Sequence, residues 1–300
     1  MEGLVRFSFY LFAAGSMSII ASAVMYILYA VGKVRLRRAQ VSTSTGHAVS
    51  ASSLHAEEGP VGYARWGTML TAFGALFMAL AIITRWSAAG HFPLSNMYEY
   101  SMLFVFFVAV MNLIFERMYK VRQLGAIVMS IAALMSIYIW MLPTHMREIN
   151  PLIPALQAGN IMTFHVGTFN LAYATFAVAF GAAILFLIAE RKSVSWLPSA
   201  EMLDDIGFRA VTIGFPMFTI GLILGSVWAH EAWGVYWQWD PKETAALFTW
   251  LVYGVYLHTR TLRGWSGRRS AYVLLFGFAA TAFTYYGNYF FGGLHAYGGF

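Results

Sequence analysis

Residues 163–189 read TFHVGTFNLAYATFAVAFGAAILFLIA: 27 consecutive positions without Asp, Glu, Lys or Arg, closed by Glu190, Arg191 and Lys192. About 20 apolar residues, rising 1.5 Å each in a helix, suffice to cross the hydrocarbon layer of a bilayer. The stretch therefore reads as a membrane-spanning helix. Seven more runs repeat it, at roughly 7–31, 65–85, 99–115, 123–142, 208–229, 243–261 and 270–291. The composition agrees: 300 residues, 59% hydrophobic and 11% charged, with mean hydropathy +0.63, where a soluble domain carries about a quarter charged residues. The expected fold is an all-α polytopic membrane protein of about eight transmembrane helices, one domain over 1–300, with no internal repeat.

The net charge of +6 invites a nucleic-acid partner, but its distribution argues against one. KVRLRR (33–38) with Arg65, ERMYKVR (116–122), ERK (190–192) with Arg209, and RTLRGWSGRR (260–269) hold 15 of the 19 Lys and Arg. Such clusters between spans mark the cytoplasmic side. Both termini, the 86–98 and 143–162 loops and the segment 230–244 are then extracytoplasmic, in a multi-pass protein of the cell's inner, cytoplasmic membrane. The first span is expected to stay uncleaved, being too long for a signal h-region and without a small-residue cleavage pattern. Residues 39–62, rich in Ser, Ala and Gly, read as a flexible cytoplasmic loop. The chain has no cysteine, which excludes disulfides, thiolate metal sites and thiol redox chemistry of its own.

Sorting the eight histidines by depth is informative. His47 and His55 fall in the loop; His91, His145, His165, His230 and His295 fall at or near the outer surface; His258 alone is deep in a span, within LVYGVYLHTR. His258 lies about 22 Å below a helix start near Glu243, at 1.5 Å per residue. It cannot share a metal with the outer histidines. It is either a snorkelling residue at the cytoplasmic boundary beside Arg260, or a functional group, since ionisable side chains inside spans are costly. His165 can be read as facing headgroups, and His295 as a polar tail residue. The glycines at 292, 293, 298 and 299 also allow that tail to bend back over the membrane surface.

Residues 233–244, WGVYWQWDPKET, hold three tryptophans in seven positions and then a charge cluster. An interfacial aromatic belt accounts for one or two rings per helix end. Trp233, Gly234, Tyr236, Trp237 and Trp239 instead form one extramembrane segment, a flat apolar platform for a large planar ligand. Asp240, Pro241 and Glu243 have the N-cap, N1 and N3 pattern of a capping box, repeated at Asn96–Glu99. Lys242 is the one cation of the platform and can pair with a ligand carboxylate or with Asp240. A flat ring with carboxylates, and a metal between two imidazoles, describes haem.

WGVYWQWDPKETAALFTWLVYGVYLHTR resembles the tryptophan-rich WWD signature of haem-handling proteins. Its DPKET and LHTR elements resemble the CcsA/ResC family of system II cytochrome c biogenesis. HFPLSNMYEYSMLF (91–104), PLIPALQAGNIMTFHV (151–166) and GLHAYG (293–298) are similar to further pieces of that family, in its order, over about the last two-thirds of the chain. The resemblance implies a cytochrome c synthase (haem lyase type) subunit that transports haem b to the extracytoplasmic side. There it would join haem covalently to the cysteines of an apocytochrome c CXXCH motif. It implies His165 and His295 as axial ligands of an outer haem and His258 as ligand of an inner, transmembrane one. It also implies a CcsB/ResB-type membrane partner, which supplies the other inner ligand, and a thiol-reducing, thioredoxin-like protein. No catalytic acid or base is named. Ala245 stands where the family usually has Trp, His230 where Asn is common, and GNIMTFHV is looser than the family's usual segment. Three alternatives remain: a system I haem chaperone that forms no thioether, a b-type cytochrome, which buries histidine pairs, and a non-haem transporter, which shows no Soret band.

Overall fold

The computed structural model describes residues 2–43, 52–157, 160–191, 197–287 and 292–295, with side chains of 34–43 and 52–60 excepted. These residues form eight α-helices and no strand: α1 Glu2–Thr43, α2 Ser52–Ala89, α3 Met97–Tyr119, α4 Gly125–Met141, α5 Asn160–Arg191, α6 Ala200–Trp233, α7 Pro241–Leu262 and α8 Arg268–Tyr286. Each expected span has its own helix; of the last, 270–291, α8 covers the part up to Tyr286, and 288–291 lie outside the described residues. α1 to α6 are long and apolar enough to cross a bilayer; α7 and α8 complete the bundle. Most helices overrun their apolar runs because the 1.5 Å ladder continues into polar surroundings once started. The loop expected at 39–62 is the clearest case: α1 continues to Thr43 and α2 begins at Ser52, while residues 44–51 lie outside the described residues.

α1 pairs with α2 and α5 with α6, while α3 stands between the pairs, touching α2, α4 and α5; α7 and α8 close the bundle against α6 and α5. Small residues make α5 the core: Ala172, Ala174, Ala177, Ala179, Ala182 and Ala183 are fully or almost fully buried. Small side chains let backbones approach closely where water gives helices no reason to associate.

Polar locks pin the two ends of the bundle. At one end Glu116 accepts from Tyr26 Oη (2.5 Å) and Thr68 Oγ1 (2.5 Å), and pairs with Arg122 Nε (3.3 Å), joining α1, α2 and α3. At the other, Arg85 of α2 donates Nε to Glu99 Oε1 of α3 (2.6 Å) and also reaches the carbonyls of Arg147 and Glu148 (2.7 and 3.2 Å). Both side chains of that pair are buried. Asn96 caps α3 by accepting from Glu99 N. The histidine site lies at this second end.

Candidate functional site

α6 stops at Trp233 because Gly234 takes a left-handed conformation (φ 80°) and returns its N–H to the His230 carbonyl (2.8 Å). The chain turns through Trp239, whose own φ is 59°. A bulky residue there costs roughly 1–2 kcal/mol. α7 then opens on a capping box: Asp240 accepts from Lys242 N (3.1 Å), and the Glu243 carboxylate accepts from Asp240 N (3.2 Å) and Gln238 N (2.9 Å).

The Asp240 carboxylate has a second task. It accepts from Leu294 N (2.7 Å) and from His295 Nδ1 (2.8 Å), folding the C-terminal tail back onto the start of α7. Gly293 makes this possible: its φ is +112°, and a Cβ there would stand 2.3 Å from Asp240 Oδ1. His165, near the start of α5, is fixed in a parallel way. Its Nδ1 donates to the Gly221 carbonyl of α6 (2.8 Å), and its ring stacks on Trp228 (5.9 Å, 13°). Gly225 lies against that imidazole, where a Cβ would be 2.5 Å from Cε1. Trp228 is almost fully buried, donates Nε1 to the Ala155 carbonyl (2.8 Å), and has its ring 5.5 Å from that of His295.

The two histidines line one cleft with Trp237, Lys242, Tyr100 and Tyr173; its empty space, open mouth included, is about 590 Å³. That is within the range of small-molecule sites. In each histidine Nδ1 is committed to an acceptor, a carbonyl for His165 and a carboxylate for His295. A metal would therefore be met by Nε2. Fixing the far ring nitrogen in this way is how ligating histidines are oriented. Burial pulls the His295 imidazole below its ordinary value, against the opposing pull of Asp240, which favours the neutral, ligating form. Burial pushes the Asp240 carboxyl up, but His295 and the backbone N–H groups of Lys242 and Leu294 outweigh it and hold the group below its ordinary value. Burial also pulls the Lys242 ammonium down to about 8, against the opposing pull of Asp240, and an anionic ligand beside it would favour its charged form. Trp237 Nε1 is a buried donor without an acceptor. A ligand carboxylate is one group that would satisfy it.

The expected platform divides. Trp237 faces the cleft, and Trp233 sits edge-on to Trp228 (4.7 Å) and to His295 (5.0 Å). Trp239 is 67% and Tyr236 56% exposed, Tyr236 stacking on His230 (4.3 Å, 16°). These two do not line the cleft, and Gly234 acts as a cap. His258 is exposed on α7, apart from the cleft. His91 lines a separate groove and His145 is exposed. Among the described residues no group of three or more His, Asp or Glu could hold a bare metal ion; two imidazoles suit a metal that brings its own equatorial ligands. The reading from sequence missed Trp228, Tyr100 and Tyr173 as parts of the site, and the tether from Asp240 to His295. The available signals were the glycine pair before Leu294 and the acid at the cap.

Residues 94–295 match the family described as Cytochrome C assembly protein. The Cytochrome c biogenesis protein CcsA of Chlamydomonas reinhardtii is 39% identical over 234 residues, covering 75% of this chain and 66% of that protein. CcsA of Mesostigma viride is 36% identical over 266 residues, 78% of this chain and 87% of the relative. CcsA of Synechococcus elongatus is 34% identical over 285 residues, again 78% and 87%. Among solved structures, Cytochrome c Heme Lyase CcmF aligns with TM-score 0.61 and 16% identity, over 91% of this chain and 46% of that one. That likeness is one of fold, and this chain spans under half of CcmF.

Proposed function

The chain belongs to the CcsA family of cytochrome c biogenesis proteins, and from that premise we propose that it carries haem to the His165–His295 cleft and there joins it to apocytochrome c. The observation that carries this reading is the meeting of His165 and His295, 130 residues apart in the chain, in one cleft, with both Nδ1 atoms engaged. In this reading the cleft faces the extracytoplasmic side of the cytoplasmic membrane, in line with the basic loops at the opposite end. Haem b is the substrate, with one imidazole on each side of its iron. Lys242 and the Trp237 indole N–H are placed for its carboxylates. Trp228 and Trp233 hold the two imidazoles in position.

Each substrate thiol adds across a haem vinyl group: the sulfur bonds to one vinyl carbon, the thiol hydrogen ends on the other, and no net oxidation occurs. The chain supplies position more than reactive groups. Holding reactants in register can contribute about 7–11 kcal/mol to such a step, and no protein nucleophile is needed. A thioredoxin-like protein keeps the substrate cysteines reduced. His258, exposed on α7, becomes half of a deeper haem site whose other ligand comes from a CcsB/ResB-type partner. A b-type electron-transfer cytochrome, with histidine pairs inside its bundle, is disfavoured because His258 is the single histidine of the sequence placed deep in a span.

The test is co-expression with the partner and an apocytochrome c. His165→Ala and His295→Ala are each expected to abolish covalent cytochrome c and to lower the haem that co-purifies. Normal thioether formation in both variants would end the proposal.

A further inference from the structure

A second cavity, about 770 Å³ with its mouth, opens on the seam between α6 and α7, and it shares Leu222, Ser226 and Trp237 with the histidine cleft. Trp237 is thus the divider between the two spaces. The seam is loosely made: α6 packs on α5 far more extensively than on α7. On its outer side the cavity is bounded by Ile223, which is 60% exposed. Its floor is Trp250, whose Nε1 donates to Thr219 Oγ1 across the seam (2.9 Å) and whose ring stacks on Phe215 (5.4 Å, 26°).

The same stripe continues past the floor. Leu247, Trp250, Gly254 and His258 follow one another at three- and four-residue steps, which places them on one face of α7. Gly254 leaves room there for about one methyl group: a Cβ would be in ordinary contact, 3.7 Å, with its nearest neighbour, the Phe215 ring. At this level Pro216 removes one rung of the α6 hydrogen-bond ladder. His258, one turn further along, is exposed.

We propose that this seam is a lateral binding groove for haem in transit, running from His258 past Gly254 and Trp250 into the seam cavity, and from there past Trp237 into the histidine cleft. The proposal rests on the functional reading above and adds the route. A flat apolar ring needs a slot with apolar walls; crossing between α5 and α6 would mean parting the most closely packed neighbours of the cleft. Along the seam side chains have to turn rather than helices part, chiefly Trp250 with the Phe215 ring stacked on it, and Trp237; the open side is filled by lipid, which costs the apolar ring little. Shared walls with the cleft, and a histidine on the same stripe, favour haem over a lipid chain as the occupant.

The absence of cysteine makes the test clean. Ile223→Cys and Leu247→Cys place the chain's two thiols on opposite walls of the seam cavity. They are bridged with a bismaleimide in membranes that contain the partner, before haem is supplied from the cytoplasmic face. Cleft haem is the absorbance lost in His165→Ala, and deep haem is what the added change His258→Ala then removes from His165→Ala. With the seam bridged, cleft haem is expected to fall at least tenfold while deep haem stays; the unbridged variant fills both. Gly254→Phe, which needs no reagent, should give the same pattern, yet accept haem added directly to the purified protein's cleft. Full cleft loading in both the bridged protein and Gly254→Phe overturns the route and leaves the seam as a lipid contact. Should the unmodified protein's haem signals not depend on His165 or His258, the functional reading fails first, independently of the seam.

Discussion

Gly225→Ala adds one methyl group to the wall behind His165. Its Cβ would lie 2.5 Å from Cε1 and 2.8 Å from Nδ1 of the imidazole, whereas carbon contacts settle at about 3.5–4.0 Å. Ring or helix must move by about 1 Å. The ring has little freedom to do so, since Nδ1 is held at 2.8 Å from the Gly221 carbonyl and its face is stacked on Trp228. Overpacking of this kind costs about 1–3 kcal/mol. The helix gain of Ala over Gly, roughly 0.5–1 kcal/mol, offsets part of that in stability but does nothing for the ligand's position. If the cost falls on the liganded state, haem affinity drops roughly 5- to 150-fold, at tenfold per 1.4 kcal/mol. Haem titration of the purified protein, followed by Soret absorbance, reads this directly. Gly167→Ala, on α5 with nothing within 4 Å of its Cβ, is the control. Equal affinity and identical spectra for Gly225→Ala and Gly167→Ala would refute the claim that α6 positions His165.

Other outcomes follow from the same geometry. Asp240→Asn withdraws an acceptor from His295 and should weaken haem binding about 10–100-fold, the usual effect of losing a ligand's outer partner; a titration matching the parent would contradict it. Gly293→Ala, strained at φ +112° and 2.3 Å from Asp240 Oδ1, should resemble Asp240→Asn, and the double variant should be little worse than either. Arg85→Ala leaves the Glu99 carboxylate buried without its cation and should cost about 3–5 kcal/mol; the added change Glu99→Gln should restore part of the thermal stability seen in detergent. The pH dependence has a definite sign. His295 is held below its ordinary value of 6.5, so its neutral form's contribution is complete above about 6.5, and is lost as pH falls toward the lowered value, because only the unfolded chain gains the proton. The melting temperature of the ligand-free protein should therefore fall from pH 7 to pH 5, and fall less in His295→Gln. A rise on acidification would reverse the sign.

The helices were legible because a membrane leaves few options: uncharged runs, basic ends and a capping box each have one local meaning. Asp240 shows the limit of that legibility. Its role as the first residue before α7 follows from its neighbours, but its bond to His295 joins positions 55 residues apart, and no local pattern encodes it. The tryptophans show a second limit. Nothing in WGVYWQWD tells Trp237, which faces the cleft, from Trp239, which is exposed, because a left-handed φ at Trp239 breaks any periodicity. Glu99 read as a helix-start residue in the Asn96–Glu99 pattern, and only the packing of α2 on α3 makes it the buried partner of Arg85. On either side of residues 44–51, the polar flanks of the loop expected at 39–62 extend the helices of the neighbouring apolar runs.

The most direct check on the central claim is the coordination state of iron in the haem-loaded protein, read by absorbance and electron paramagnetic resonance. The parent should show a low-spin, six-coordinate iron with two nitrogen ligands in the cleft. His165→Ala and His295→Ala should each convert that signal to five-coordinate, high-spin iron, and added imidazole should restore it. A six-coordinate signal untouched by either substitution would mean that these two side chains do not share the iron, and the account would fall with them.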